Sequence, residues 1–122
     1  MNNKYYEVPI LNNEYWVCVC VGKDYKELSK KLEKCFEDKY DSNFDPETFK
    51  RVRGRIFKKN NYTPYIFVNL NNCKTKIESF ATLAHEACHA VDEIFTMIGD
   101  NNRDELFAHS VGAIIRGYKN LK

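Results

Sequence analysis

Three residues in the stretch "TLAHEACHAV", Thr82 to Val91, are of types that do chemistry: His85 and His89 stand four apart, with Glu86 beside the first. On a helix, positions four apart lie one turn apart on one face, so the two imidazoles can grip one ion from the same side. Zinc favours neutral imidazole nitrogens, and its catalytic sites commonly take three protein ligands and leave one position for water. Glu86 is placed to take a proton from that water as general base. The competing reading is bland: histidines and acids decorating the wet stripe of an amphipathic helix. By residue frequency the five-residue pattern arises in about one in a few hundred chains of this length. Two of the chain's three histidines make it, and the metal reading is the stronger.

The element that must carry these residues is written around them. Thr75 and Glu78 form a T-x-x-E capping box ahead of the apolar run, and Gly99 is a stop signal, so the sequence predicts a helix to about Ile98. On a helical wheel Glu78, Thr82, His85, Glu86, His89, Asp92, Glu93 and Thr96 fall in one sector of roughly a third of the circumference. Apolar residues, among them Ile77, Leu83, Cys88, Val91 and Phe95, fill the rest. The expectation is a helix packed on most sides, with a polar slot and with Cys88 in the packing.

A last helix, from near Asp104 through Tyr118, can supply the third ligand. Glu105 lies sixteen residues beyond His89, and His109 follows one turn later. Glu105, His109, Gly112 and Arg116 form a narrow stripe, in which Gly112 would let the two helices approach closely. A tight antiparallel hairpin centred near residue 101 puts His89 opposite Ala113, with Glu105 about two turns away and His109 nearer. Asp104 and Glu105 also read as first-turn acids stabilised by the helix dipole. Asp92, two turns from His85, is expected to orient a ligand histidine or to meet a basic neighbour. The metzincin arrangement is excluded, because the sixth residue after His89 is Phe95.

"LAHEACHAVDEIFTMIG" followed by "DELFAHSVGAII" resembles the HExxH zincin-type metallopeptidases of bacteriophages and prophages, in which an HExxH helix is followed, after a short acidic linker, by a D-E-x-F-A helix. The resemblance spans about Thr82 to Ile115. It implies the glutamate-ligand, gluzincin-like arrangement: His85, His89 and Glu105 as zinc ligands and Glu86 as the base. His109 stands where that pattern tends to have an aromatic residue, and from there it can polarise a substrate carbonyl or compete for the metal. The resemblance further implies that "YIFVNL", before the motif helix, is an edge strand that pairs with an extended peptide substrate.

The rest of the chain supplies the sheet. "YYEVPI" and "YWVCVCV" flank the turn-forming "LNNE" and predict an N-terminal hairpin. "DYKELSKKLEKCFEDKY" has helical spacing with Asp24 as N-cap, and "DSNFDPETF" is loop-like. Two more strands follow, roughly Arg51–Lys58 and Tyr65–Leu70, with "NNYTP" between them and Pro64 at the start of the second or on an edge. The order is ββ-α-ββ-α-α: an α+β fold in which a mostly antiparallel sheet of about four strands packs against three helices, a small zincin-like domain spanning 1–122.

The 122 residues are 43% hydrophobic and 30% charged with a net charge of +2. That is ordinary globular composition and not the footprint of a dedicated nucleic-acid binder. No run is long enough for a signal peptide or a membrane span, which predicts a cytoplasmic protein, in the host cytoplasm if phage-encoded. Five cysteines at irregular spacing describe no disulfide framework, and packing is the expected role for all of them. The leading function is a zinc-dependent peptidase acting on a peptide or protein substrate. Its rival is a zinc-binding zincin scaffold without turnover that acts by binding a host or viral protein. A weaker third option is nucleic-acid or virion association through Lys50–Lys59.

Overall fold

The structure, a computed structural model, describes residues 3–11, 13–28, 30, 50–57, 63–100 and 104–121. Strand β1 (Lys4–Ile10) and strand β2 (Tyr15–Gly22) form the expected antiparallel hairpin, in register from Lys4↔Val21 to Ile10↔Tyr15. Its turn carries two left-handed residues, Leu11 at φ 53° and Asn13 at φ 66°, closed by the Glu14 amide donating to the Leu11 carbonyl at 3.2 Å. Asparagine tolerates that conformation, whereas leucine adopts it at a cost of about 1–2 kcal/mol. Asp24 then caps a helical turn over residues 25–28, its Oδ1 accepting from the Lys26 and Glu27 amides at 3.1 and 3.0 Å. The remainder of that predicted helix and "DSNFDPETF" lie outside the described residues.

Strand β3 (Gly54–Phe57) pairs antiparallel with strand β4 (Tyr65–Asn69), both a little shorter than the sequence predicts. The sheet order is β1-β2-β4-β3, and β2 runs parallel to β4, from Cys18↔Tyr65 to Gly22↔Asn69. The fold is therefore α+β with a mixed sheet, two antiparallel pairings flanking a parallel one. This corrects the expectation for "YIFVNL": β4 is interior, and β3 is the edge. The physical signal was present, because Ile66, Phe67 and Val68 are an unbroken apolar run and all three are fully buried, as befits a strand covered on both faces.

Helix α1 (Lys76–Met97) and helix α2 (Glu105–Lys119) lie together on one face of the sheet. There Val17, Val19, Ile66 and Val68 meet Leu83, Ala87, Val91, Ile94, Phe95 and Ile114. On the other face Cys20 and Phe67 pack with Leu28 from the helical turn and with Tyr5, Tyr25 and Tyr65. The two long helices run antiparallel: the Phe80 and Tyr118 rings meet at a tilt, centroids 4.7 Å apart, near one end, and Phe95 meets Phe107 at 5.5 Å near the other. Tyr6 ties β1 to this layer by donating its hydroxyl to the Ile114 carbonyl at 2.9 Å. No described helix is long and apolar enough to cross a membrane.

Candidate functional site

Both ends of α1 are fixed by the residues its sequence advertises. The Thr75 hydroxyl accepts from the Glu78 amide at 3.1 Å, and Glu78 Oε1 reaches back to the Lys74 amide at 3.2 Å, one residue beyond the usual capping-box partner. At the other end Gly99 turns left-handed at φ 74°, the Gly99 amide donates to the Thr96 carbonyl, and the Asp100 amide donates to that of Phe95. That pair of bonds is a Schellman motif, and it stops the helix where the sequence said it would.

Between those caps the two motif histidines converge. His85 Nε2 and His89 Nε2 are 3.1 Å apart, the rings tilted edge to face with centroids 4.7 Å apart, and both side chains are exposed. Two nitrogens bound to one tetrahedral zinc at the usual bond length stand about 3.3 Å apart, so the imidazoles sit almost at the spacing of two such ligands.

Glu86 departs from the wheel. It does not share the wet stripe but turns inward, with only 8% of its surface exposed, between α1 and the edge strand. The opening there is made by Gly54 of β3: a Cβ at that position would stand 2.5 Å from Thr82 Cγ2 and 3.1 Å from Glu86 Cγ. Glu86 Oε2 has no hydrogen-bond partner among the described residues. Burial accordingly pushes its carboxyl above the ordinary glutamate range, against the opposing pull of His85, His89 and Arg55. Cys88 also departs from the wheel, exposed where packing was expected. At the periphery the apolar side of the wheel overreaches as well, since Ile77 is 81% exposed and Met97 and Ile98 are partly so.

An open cleft of ≈ 480 Å³ runs alongside, lined by Arg53, Gly54, Glu78, Thr82, His85 and Glu86 among others. The wall formed by β3 is pinned by asparagines. The Asn69 amide donates to the Arg53 carbonyl at 2.7 Å, and Asn72 Nδ2 donates to the Lys50 and Val52 carbonyls at 2.8 Å each. Neither these asparagines nor Gly54 stood out in the motif, although a glycine inside a strand is itself a sign of close approach.

Glu105 and His109 are not brought to the histidines. The contacts Phe80–Tyr118 and Phe95–Phe107 place His89 level with roughly residue 110 and Glu105 level with roughly residue 97, about 10 Å further along the helix pair at 1.5 Å per residue. His109 stands closer along the axis but is exposed on another side. It lines a groove of ≈ 530 Å³ between α2 and the β1–β2 turn, with Leu11, Tyr15, Leu106 and Ala113. Gly112 makes no close helix contact, because a Cβ there would meet only Arg116 Nη1, at 3.3 Å. Asp92 is exposed on the histidine side of α1. Among the described residues no three His, Cys, Asp or Glu side chains gather as a metal cluster.

No protein-family model, curated protein or solved structure matches this chain. The reading of the site therefore rests on its own geometry. Two imidazole donors fit zinc in type and spacing, and an acid with an orphaned oxygen stands beside them. Among the described residues no third donor is in place around them.

Proposed function

We propose that this chain is a zinc-dependent peptidase, with His85 and His89 holding the metal and Glu86 serving as the general base. The observation that carries the proposal is the pairing of convergent imidazoles, 3.1 Å apart, with a buried carboxyl whose Oε2 has no hydrogen-bond partner among the described residues. A buried carboxyl oxygen left without a hydrogen bond is costly to the fold, by about 1–3 kcal/mol for an unsatisfied acceptor and more when charged. Such a group is expected where its basicity is used. When bound, zinc supplies Lewis acidity toward water and a peptide carbonyl.

The chain's own residues do the rest. Glu86, raised in basicity by burial, accepts a proton at Oε2 and delivers it to the departing amine. The β3 edge, held one van der Waals layer from Glu86 by the absence of a side chain at Gly54, offers main-chain groups to an extended peptide. Glu105 is the third ligand that the D-E-x-F-A resemblance implies, and reaching the histidines requires α2 to shift along α1 against the Phe80–Tyr118 and Phe95–Phe107 contacts.

The test is metal analysis of protein purified without a histidine tag, alongside hydrolysis of a peptide library. About one zinc per chain, lost in His89→Ala and weakened in Glu105→Ala, with hydrolysis lost in Glu86→Gln at undiminished zinc content, is the expected pattern. Full zinc in Glu105→Ala removes that residue from the site. Zinc without hydrolysis leaves the scaffold reading, and no zinc at all ends both.

A further inference from the structure

A small cavity of ≈ 190 Å³ opens at the end of the molecule where the parallel strands β2 and β4 finish. Val21, Leu70, Tyr118 and Leu121 give it an apolar wall, and it shares no residue with the His85–Glu86 cleft. Three lysines line it as well, each from a different element: Lys4 begins β1, Lys23 follows β2 and Lys76 begins α1. All three are exposed, so their stems wall the cavity and their ammonium groups stand at its mouth. The chain has 17 acids against 19 lysines and arginines, yet no acid lines this cavity. Among the described residues none of the three lysines is in an ion pair. Like charges gathered at one mouth repel each other, and an anion seated between them removes that cost.

The mouth is also held in place. Buried Asn3 donates its Nδ2 to the Asp24 carbonyl at 2.6 Å and accepts from the Asp24 amide at 3.0 Å, and Asn71 Nδ2 donates to the Lys23 carbonyl at 2.8 Å. These bonds fasten the Lys23 segment to the start of β1, beside Lys4, and to the turn after β4. Ser79 Oγ donates to the Lys76 carbonyl at 2.7 Å, which spends its proton, so the Tyr118 hydroxyl 2.8 Å away donates to Ser79. Tyr118 therefore offers a ligand its ring and no proton, and the side-chain donors left in the cavity are the ammonium groups. We propose that this cavity binds a small carboxylic acid as its anion, the apolar body against Val21, Leu70, Tyr118 and Leu121 and the carboxylate among Lys4, Lys23 and Lys76. Its volume lies below the roughly 300–1,000 Å³ of drug-sized sites, which limits the ligand to a short acyl chain or a single ring. A bare phosphate satisfies the lysines but leaves the apolar wall uncovered. The proposal stands apart from the peptidase reading, and neither needs the other.

The experiment titrates the full chain with octanoate, neutral octanamide, acetate and inorganic phosphate, and follows the backbone amides of Gly22, Lys23, Leu70 and Leu121 by proton–nitrogen correlation NMR. Octanoate shifts these amides and binds about tenfold more tightly than octanamide at low salt, a margin that shrinks as salt is added. Acetate and phosphate, which have no apolar body to bury, bind more weakly than octanoate. Lys4→Gln, Lys23→Gln and Lys76→Gln combined, all at exposed positions, remove the advantage of octanoate and leave octanamide binding unchanged, and Arg at the same three positions retains it. Equal affinity for octanoate and octanamide, phosphate as tight as octanoate, shifts confined to other residues, or an unchanged preference in the triple variant overturns the proposal.

Discussion

Glu86→Gln should stabilise the metal-free protein while abolishing hydrolysis. The substitution keeps the volume of a side chain that has only 8% of its surface exposed and removes the charge from a carboxylate whose Oε2 has no partner among the described residues. A buried acceptor left unsatisfied costs about 1–3 kcal/mol, more if charged. Because the glutamine amide also needs a partner, the gain is set by the charge alone and falls near the lower end, about 1 kcal/mol. At this chain length that is a rise of roughly 3–6 °C in Tm. The sign with pH follows from the raised carboxyl of Glu86. A folded-state value above the unfolded one, which is about 4.3, means the fold favours the protonated form. Wild-type stability from this group is whole below the unfolded value and is lost as pH rises through the folded one. The variant cannot ionise there, so its advantage should be full at neutral pH and shrink as pH falls toward about 4. Urea or thermal unfolding of both proteins, with chelator present throughout, reads the difference. A variant less stable than wild type at neutral pH, or an advantage that does not change with pH, would show that Glu86 is a structural group and not one held at a cost for chemistry.

Three further substitutions test the frame around that residue. Gly54→Ala would place a Cβ 2.5 Å from Thr82 Cγ2 and 3.1 Å from Glu86 Cγ. It should cost about 1–3 kcal/mol in urea midpoint and should reduce hydrolysis more than zinc content. Tyr6→Phe removes the donor to the Ile114 carbonyl and should cost about 1 kcal/mol at neutral pH. Burial raises that phenol, so wild-type stability is lost as pH climbs above about 10, and the variant should show less of this alkaline loss. Gly99→Ala puts a Cβ at φ 74° in open space. Strain without clash should lower stability by about 1–2 kcal/mol, and a neutral result would show that the Schellman end relaxes freely.

The helices and their ends were legible because local chemistry writes them. Thr75 and Gly99 make the bonds their types imply, Glu78 reaches one residue further back to the Lys74 amide, and the two imidazoles meet because the helical repeat alone brings residues four apart together. The β1–β2 hairpin was legible for the same reason. What the sequence did not disclose is set by long-range pairing. The parallel match of β2 with β4 depends on a crossover, which alternation of side chains does not record, and that match decides that β3 is the edge beside the site. Helix-wheel angles likewise placed Glu86 with the histidines, because a wheel knows nothing of what lies across from it. The absence of a side chain at Gly54 is what opens a berth for Glu86 against the sheet.

The same distinction explains why the third ligand was ambiguous. His85 and His89 need one element to be correctly placed, whereas Glu105 needs two helices in a particular axial register. Aromatic contacts decide that register: Phe80 with Tyr118 and Phe95 with Phe107 hold α2 so that Glu105 lies about 10 Å beyond His89. Those contacts are apolar and favourable whether or not a metal is present, so any Glu105 ligation must work against them. A metal that recruits Glu105 should therefore change the packing around Phe107. Aromatic near-ultraviolet dichroism on zinc addition reads that change, and its absence in protein that binds zinc fully would leave the His85–His89 pair to complete its site with a donor other than Glu105.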